Sequence, residues 1–314
     1  MQKLDARRQY VRWLVVTRSL SAHTVRAYDG DLGAFAHYIG CSSSTRAIDR
    51  DQLIGFLESQ RDEGLTATTI KRRASGVRGF CRWLMANELL EADPFVGLRV
   101  TGGRGRKLPR LVPDDALDAL LATLQQRAGI PHAIKELGRV EQPHETTTLL
   151  AVALMVATGV RVNELVSIRC HDIDLVRRTI RIMGKGRRER QVYLTNDWIV
   201  RLAVAYLEAR ARLGVQHHHL LFNRRCAPLT APAMRSRLAK VARDASLGLQ
   251  VTPHMLRHSA ATRLVDAGVD IRLIQTLLGH ASLTTTEIYT HVSNAALQRV
   301  LSDADVLGRA LLAR

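Results

Sequence analysis

Cysteine is scarce in this chain, and its spacing gives no sign of a structural role. The 314 residues contain Cys41, Cys81, Cys170 and Cys226, and no C-x-x-C pair occurs among them. Cysteines so far apart suggest neither a zinc knuckle nor a disulfide framework. Proteins without disulfide cross-links are typical of a reducing cytoplasm. We therefore expect a cytoplasmic protein with no structural metal site.

Long apolar runs are also missing. No stretch of about 20 apolar residues appears, which is the length needed to cross a bilayer. The N-terminal residues 1–20 mix charged side chains with apolar ones, unlike the uninterrupted apolar core of a secretory signal. Both observations argue against a membrane partner.

Aromatic and acidic residues are few, whereas basic residues are abundant. Aromatics make up 4% of the chain, too few to suggest a platform on which single-stranded bases stack. Lysine and arginine number 46 against 29 acidic residues, a formal charge of +17. Such a surplus favours a polyanionic partner, and duplex DNA held through its phosphates fits best. The alternative is a basic domain whose charge serves only solubility.

The N-terminal part, residues 1–97, reads as all-helical and ends at Asp93-Pro94, because proline disfavours helix in the residue before it. A helix is predicted from about Thr68 to Ala86, with a buried apolar stripe. Its other face carries five basic residues with no acid between them: Lys71, Arg72, Arg73, Arg78 and Arg82. Solvated helix faces usually mix signs, so we favour a surface that follows a DNA backbone.

A basic linker is predicted at residues 98–112, since glycine and positive charge replace apolar periodicity there. Its Arg104, Arg106 and Lys107 are candidate DNA contacts, although the segment could be an inert tether. The remaining residues 113–314 read as mainly helical with one β-hairpin, whose strands flank a turn at Gly184. The fold class is therefore mainly α, with an α+β second domain that contains a small antiparallel sheet.

Breaking a DNA strand without a metal requires fixed cations, a side-chain nucleophile and proton donors. The C-terminal third contains such residue types at suggestive positions. His254 and Arg257 are one helical turn apart, in a helix whose N-cap is predicted at Thr252. An apolar helix over 147–158 should end at Gly159, which leaves Arg161 at a junction where it can face a ligand.

These stretches occur in an order that resembles the tyrosine recombinases of the lambda-integrase family, especially their Xer-like members. The similar segments are Ala157-Thr-Gly-Val-Arg-Val-Asn-Glu-Leu165, Gly184-Lys-Gly186, Thr252-Pro-His-Met-Leu-Arg-His-Ser259, Leu277-Leu-Gly-His280 and the later Tyr289. Residues 21–35 resemble the family's core-binding domain. The resemblance spans nearly the whole chain.

The resemblance implies a role for each matching residue. Tyr289 would be the nucleophile that forms a 3′-phosphotyrosine and frees a 5′-hydroxyl. Arg161 and Arg257 would clamp the phosphate, and Lys185 would protonate the leaving oxygen. Further roles fall to His254 at the tyrosine proton, His280 at the phosphate and Glu164 as the acid that supports Arg161 and the histidines. No cofactor and no metal would be required.

The resemblance also implies an architecture and an assembly. Residues 1–97 would form a helical, SAM-like core-binding domain and 113–314 the catalytic domain, which together make a C-shaped clamp on DNA. Four protomers on two recombination sites would exchange strands through a Holliday junction, as a homo-tetramer or with a sister recombinase. The apolar stripe of the C-terminal tail must be buried and could pack on its own domain, but the resemblance implies its donation to a neighbouring protomer.

Several alternatives stay open at this point. Arg187, Arg188 or Arg190 could bind phosphate in place of Lys185, and Arg161 with Glu164 could be an ordinary surface ion pair. His217–His219 could bind a metal, although adjacent residues do not face one centre. The sequence does not assign a role to residues 129–145 or identify the target DNA. Other functions would be a catalytically silent architectural DNA-binding factor or a type IB-like topoisomerase.

Overall fold

The structure is a computed structural model that describes residues 3–18, 20, 22–40, 44–100, 111–131, 133, 137–184, 188–279, 301–305 and 307–308. The chain divides into two compact units, residues 1–107 and 108–314. The expected fold class is confirmed, since helices dominate and a small antiparallel sheet lies in the second unit. None of the described helices is both long and apolar enough to cross a membrane.

The first unit is helical in its described part. Its helices are α1 (Lys3–Val16), α2 (Ala22–Tyr38), α3 (Arg50–Asp62) and α4 (Ala67–Ala86), with a 3₁₀ turn at Thr45–Ala47. Side chains of Asp49 and Thr66 cap α3 and α4 by accepting hydrogen bonds from backbone N–H groups. The apolar stripe of α4 packs into a core with α1, α2 and α3. The predicted helix from Thr68 to Ala86 is therefore confirmed.

The basic face of α4 has an acidic partner that its own sequence does not contain. Arg72 and Arg73 both pair with Asp31 of α2, a carboxylate that is only 3% exposed. No acid stands between these basic residues in the sequence, but the neighbouring helix α2 supplies one in the fold. Arg72 nevertheless keeps half of its side chain in solvent.

The other basic residues of α4 differ in exposure. Arg78 donates a hydrogen bond to Leu98 O at 3.0 Å and lies over the ring of Phe95, so it binds the protein itself. Lys71 and Arg82 are exposed. Of the basic residues on this helix, Lys71, Arg72 and Arg82 are exposed, whereas Arg73 and Arg78 are partly buried.

The second unit is built around one central helix. Its elements are α5 (Asp114–Ala128), α6 (Pro143–Thr158), α7 (Val162–Ser167), a 3₁₀ turn (Cys170–Asp172), β1 (Ile173–Asp174), β2 (Thr179–Met183), β3 (Glu189–Tyr193), α8 (Asp197–Arg212), α9 (Ala231–Asp244), α10 (Pro253–Asp266) and α11 (Ile271–Leu278). Helix α6 is buried along nearly its whole length and packs against α5, α8 and α10. A helix that is apolar all round is expected to be buried in this way.

The predicted hairpin is confirmed, and it carries one more strand than expected. Strands β2 and β3 are antiparallel with Ile180 opposite Val192, and β1 extends the sheet beside β2. Ile180, Ile182 and Val192 are buried, which fixes one face of the sheet on the core. The described part of the hairpin ends with a hydrogen bond from the Gly184 N–H to Arg188 O at 2.8 Å.

Residues 129–145 are anchored in the second unit where they are described. Ile130 and Val140 are buried in its core, and Leu137 packs against it. Residues 132 and 134–136 lie outside the described part. The connection thus contributes apolar contacts at both of its ends.

The described part of the C-terminal tail packs on its own unit. Leu301, Ala304 and Leu307 are buried in the same core as α6. The side chain of Asn196 donates a hydrogen bond to the Asp305 carboxylate at 3.0 Å. These described residues of the tail are therefore buried against the second unit of the same chain.

We predict that Asp31→Asn lowers the free energy of unfolding of the first unit by about 1–3 kcal/mol, because Arg72 loses a buried charged acceptor and Arg73 loses the ion pair at 3.9 Å. Urea unfolding measures the loss. The matched control is Asp29→Asn on the same helix, where a 44% exposed carboxylate pairs with Arg7 at 2.7 Å. That exposed pair should contribute about 1 kcal/mol or less. Equal losses in both variants would contradict the prediction.

Candidate active site

Three arginines from separate parts of the second unit converge on the C-terminal end of α11. Arg190 Nε donates to Leu277 O at 2.8 Å, and Arg257 donates to Leu278 O at 2.7 Å. Arg161 donates to Leu278 O at 3.3 Å and to Gly279 O at 3.2 Å. The last carbonyl groups of a helix lack intrahelical partners and carry partial negative charge, so guanidinium groups are suitable donors there.

Arg161 lies at the helix junction that the sequence predicts. Gly159 ends α6 in the left-handed conformation with a φ of 61°, and Arg161 directly precedes α7. Its guanidinium contacts the Glu164 carboxylate at 2.9 Å, and its backbone N–H donates to the same carboxylate at 3.0 Å. The side chain of Arg161 remains 39% exposed, whereas that of Glu164 is buried. This is more than a surface ion pair, because one partner is buried and shared.

Arg257 is the most deeply placed of the three arginines. It is 8% exposed, and its guanidinium donates one hydrogen bond to Gly159 O at 2.6 Å and another to Leu278 O. Burial, followed by repulsion from the neighbouring Arg161, lowers the pKa of Arg257 to about 10. The group therefore stays charged at neutral pH, but it lies in surroundings that would favour a further anion.

Arg190 takes a different position from the phosphate-binding alternative that the sequence left open. Its guanidinium donates to both oxygens of Glu164, at 3.2 and 2.7 Å, in addition to Leu277 O. Its side chain is 13% exposed. Sequence reasoning did not identify this contact, because the two partners lie 26 positions apart.

The Glu164 carboxylate balances part of this positive charge. Burial by itself would raise the pKa of Glu164, but hydrogen bonds from Arg190 and from the Arg161 backbone and side chain hold it below its usual value. Among the described residues, Glu164 is the one acidic group that raises the pKa of Arg257. Three guanidinium groups and one carboxylate leave the cluster with excess positive charge.

His254 lies in the first turn of α10, one turn before Arg257, and its side chain is exposed. The predicted N-cap is confirmed, since Thr252 accepts a hydrogen bond from the Met255 N–H and Pro253 opens the helix. His254 is therefore at the surface end of the helix whose next turn enters the arginine cluster.

Lys185, His280 and Tyr289 lie outside the described residues, as do Arg104, Arg106 and Lys107. The residues directly before two of them do belong to the cluster. A Cβ atom on Gly184 would be 4.0 Å from the Glu164 carboxylate, and one on Gly279 would be 3.1 Å from the Arg190 guanidinium. The chain therefore enters residues 185 and 280 from the immediate surroundings of Glu164 and Arg190.

His217 and His219 do not form a metal centre with other groups in the described part of the chain. Their ring centroids are 5.7 Å apart, and burial together with the neighbouring Arg210 lowers the pKa of His217. No set of three or more histidine, cysteine or acidic side chains is arranged for a metal ion among the described residues. The His217 backbone carbonyl accepts a hydrogen bond from Arg210, which ties this segment to α8.

Comparison with known proteins assigns the chain to a family. Residues 119–296 match the phage integrase family, and residues 8–88 match the phage integrase N-terminal SAM-like domain. Tyrosine recombinase XerD of Listeria monocytogenes serotype 4b (strain F2365) is 30% identical over 302 residues, covering 94% of this chain and 97% of that protein. Tyrosine recombinase XerC of Mycobacterium bovis (strain BCG / Pasteur 1173P2) is 34% identical over 297 residues, covering 93% and 95%.

Solved structures agree on the fold. A XerH site-specific recombinase bound to palindromic difH in a post-cleavage complex is 26% identical, with a TM-score of 0.67 and coverage of 91% of this chain and 81% of that one. A lambda integrase (75–356) dimer bound to a COC′ core site has a TM-score of 0.68 at 17% identity, covering 90% and 96%. The chain belongs to the phage integrase family and is an Xer-like tyrosine recombinase.

We predict that Gly159→Ala destabilises the second unit more than Gly129→Ala does. Both glycines end a helix with a positive φ, 61° and 64°, so each alanine variant loses about 1–2 kcal/mol to backbone strain. Only at Gly159 would the new Cβ also collide with Leu278 Cδ2, whereas nothing lies within 4 Å at Gly129. The additional loss should be about 1–3 kcal/mol in urea unfolding. Equal losses would mean that Leu278 does not approach Gly159 in solution.

Proposed function

We propose that this tyrosine-type site-specific recombinase cleaves and rejoins duplex DNA through a 3′-phosphotyrosine at Tyr289. The observation that carries the proposal is that Arg161 and Arg257, from different elements, donate to one carbonyl oxygen, Leu278 O. Two guanidinium groups so close together repel each other, and the Glu164 carboxylate beside them is shared with Arg190, so the cluster keeps excess positive charge that an anion would balance. A scissile phosphodiester, which gains negative charge in its transition state, is a suitable anion.

The proposed chemistry is a transesterification in which no bond energy is lost to water. The Tyr289 oxygen attacks phosphorus, His254 accepts the phenolic proton, and the bond from phosphorus to the 5′ oxygen breaks. Lys185 donates a proton to that departing oxygen, which leaves as a 5′-hydroxyl. A free phenol titrates near pH 10, so the surrounding cations must favour its ionised form at neutral pH. A 5′-hydroxyl from another strand then reverses these steps.

The remaining groups support the phosphate and its clamp. Arg161 and Arg257 would bind the non-bridging oxygens, and His280 would donate a further hydrogen bond to them. Glu164 would orient Arg161, in agreement with the contact of 2.9 Å between these side chains. None of these steps uses a metal or a nucleotide cofactor.

Residues 1–97 would serve as the core-binding domain, 98–112 as the linker and 113–314 as the catalytic domain. A tetramer on two DNA sites, formed by this chain alone or with a sister recombinase, would exchange strands through a Holliday junction. A solved lambda integrase tetramer bound to a Holliday junction shares the fold, with a TM-score of 0.65. We place this activity in the bacterial cytoplasm, on nucleoid DNA.

The first unit would bind the DNA backbone through the exposed part of α4. Lys71, Arg72 and Arg82 are accessible there. Arg73 and Arg78 also belong to the proposed contact set, but both make contacts within the protein that would limit their reach. The linker residues Arg104, Arg106 and Lys107 would add contacts to phosphates.

We expect Tyr289→Phe to abolish covalent adduct formation on a nicked suicide duplex, because the nucleophilic oxygen is absent. Denaturing electrophoresis measures the adduct, and a mobility-shift assay should show unchanged DNA binding. The matched control is Tyr193→Phe, a buried tyrosine of β3 in the same unit, which should still form the adduct. An adduct that persists in Tyr289→Phe would disprove the assignment.

The same assay distinguishes the other functions. A wild-type chain that binds DNA but never forms an adduct would be an architectural factor. Relaxation of supercoils that lack any recombination site would indicate a topoisomerase instead.

We also predict that Lys71→Gln and Arg82→Gln each weaken DNA binding to a similar extent for all sequences. Each substitution removes one phosphate contact, so the slope of log affinity against log salt concentration should fall by about 1. Titrations at several salt concentrations measure the slope. Arg50→Gln on α3 is the control, since Arg50 lies outside the proposed contact set and its guanidinium donates to Val96 O at 2.7 Å, so the slope should stay unchanged. Unchanged slopes for Lys71→Gln and Arg82→Gln would refute this DNA surface.

A further inference from the structure

Arg190 connects three chain segments that are distant in sequence. It lies on β3 opposite Ile182 of β2, close to the hairpin turn. Its guanidinium donates to the Glu164 carboxylate of α7 at 2.7 and 3.2 Å, and its Nε donates to Leu277 O at the end of α11 at 2.8 Å. A planar guanidinium with several fixed N–H donors is well suited to hold such partners in one geometry.

These contacts leave little of Arg190 for a ligand. Its side chain is 13% exposed, compared with 39% for Arg161. Each of its three guanidinium nitrogens donates to an acceptor of the protein itself. Direct phosphate binding by Arg190 would require these hydrogen bonds to break, whereas Arg161 still has accessible surface.

The position of Arg190 affects both neighbours of the cluster. The hairpin that it anchors leads into Lys185, and the helix end that it anchors leads into His280. Gly279 lies against it so closely that a Cβ there would be 3.1 Å from its Nη1. A loss of the Arg190 contacts would therefore release the hairpin, the end of α11 and the Glu164 carboxylate from one another.

We propose that Arg190 is a positioning residue, which holds the hairpin, Glu164 and the end of α11 in the arrangement that strand cleavage requires. The proposal rests on the proposed function of this site. Arg190 acts through Glu164 and through the main chain at residue 277, without touching the DNA. A misplacement of about 1 Å among groups that support a reaction can reduce its rate about 100-fold.

The first test compares Arg190→Gln with the wild-type full-length protein on a nicked suicide duplex. The single-turnover rate of adduct formation should fall about 100-fold. DNA affinity and its salt slope should stay unchanged, because no phosphate contact is lost. The matched control is Arg181→Gln on β2, whose exposed guanidinium pairs with Asp172 at 2.9 Å, and which should keep the wild-type rate.

The second readout is the pH dependence of the cleavage rate. Glu164 is faced by Arg161, Arg190 and Arg257, and hydrogen bonds from Arg190 and Arg161 lower its pKa against the effect of burial. Removal of Arg190 should raise that pKa, so the carboxylate becomes protonated at a higher pH. The acid limb of the pH–rate profile should therefore move to higher pH in Arg190→Gln. A merely structural arginine would leave this limb in place.

A third readout uses the Glu164 partner and a conservative variant. If Arg190 acts mainly through Glu164, the rate of the Arg190→Gln and Glu164→Gln double variant should resemble that of the slower single variant. Arg190→Lys keeps the charge but reaches fewer acceptors, so it should recover part of the lost rate. If Arg190→Gln fails to fold, Arg190→Lys tests the proposal instead. The proposal then requires that Arg190→Lys cleaves at a rate below that of the wild type and that the acid limb of its pH–rate profile is shifted.

Two results would overturn the proposal. A salt slope that falls by about 1 in Arg190→Gln would identify Arg190 as a phosphate contact. A wild-type cleavage rate in Arg190→Gln would show that its contacts do not matter for the reaction. Failure of the wild-type protein to form any adduct would instead refute the proposed function, and the two failures are thus distinguishable.

Discussion

The carboxylate of Glu164 is the interaction on which the rest of the site depends. It is buried, and it accepts hydrogen bonds from the guanidinium groups of Arg161 and Arg190 as well as from the Arg161 backbone. Without this negative charge, three arginine cations would share one partly desolvated region, and their repulsion would oppose folding. The Glu164 carboxylate neutralises part of this charge, and the excess positive charge that remains can attract an anion.

The end of α11 provides the second half of this balance. Its final carbonyl groups accept hydrogen bonds from Arg161, Arg190 and Arg257, so the negative end of the helix dipole faces the cations. Gly279 permits the close approach, because it adopts a φ of 64° and has no side chain to displace Arg190. The site is therefore assembled from one acid and several main-chain oxygens, and packing of α11 against α10 and β3 keeps them together.

Much of the local structure could be predicted from the sequence, whereas the pairing of distant charges could not. The end of α6 at Gly159, the cap at Thr252 and the hairpin around Gly184 follow from glycine, capping residues and alternating patterns nearby. The pairs of Arg190 with Glu164 and of Arg72 with Asp31 join residues 26 and 41 positions apart. No local pattern marks such partners, because only the packing of separate elements brings them within contact.

The acceptors at the end of α11 are main-chain atoms, and this has a consequence for how the protein tolerates change. A substitution at residue 277 or 278 alters a side chain but cannot delete the carbonyl oxygen that an arginine uses. Exchanges among apolar side chains that still fill the core at 277 and 278 can therefore occur without loss of the cation cluster, provided that the path of the backbone is kept. That backbone path depends chiefly on Gly159 and Gly279, where a Cβ atom would meet Leu278 and Arg190. Neither glycine has a side chain that could bind DNA.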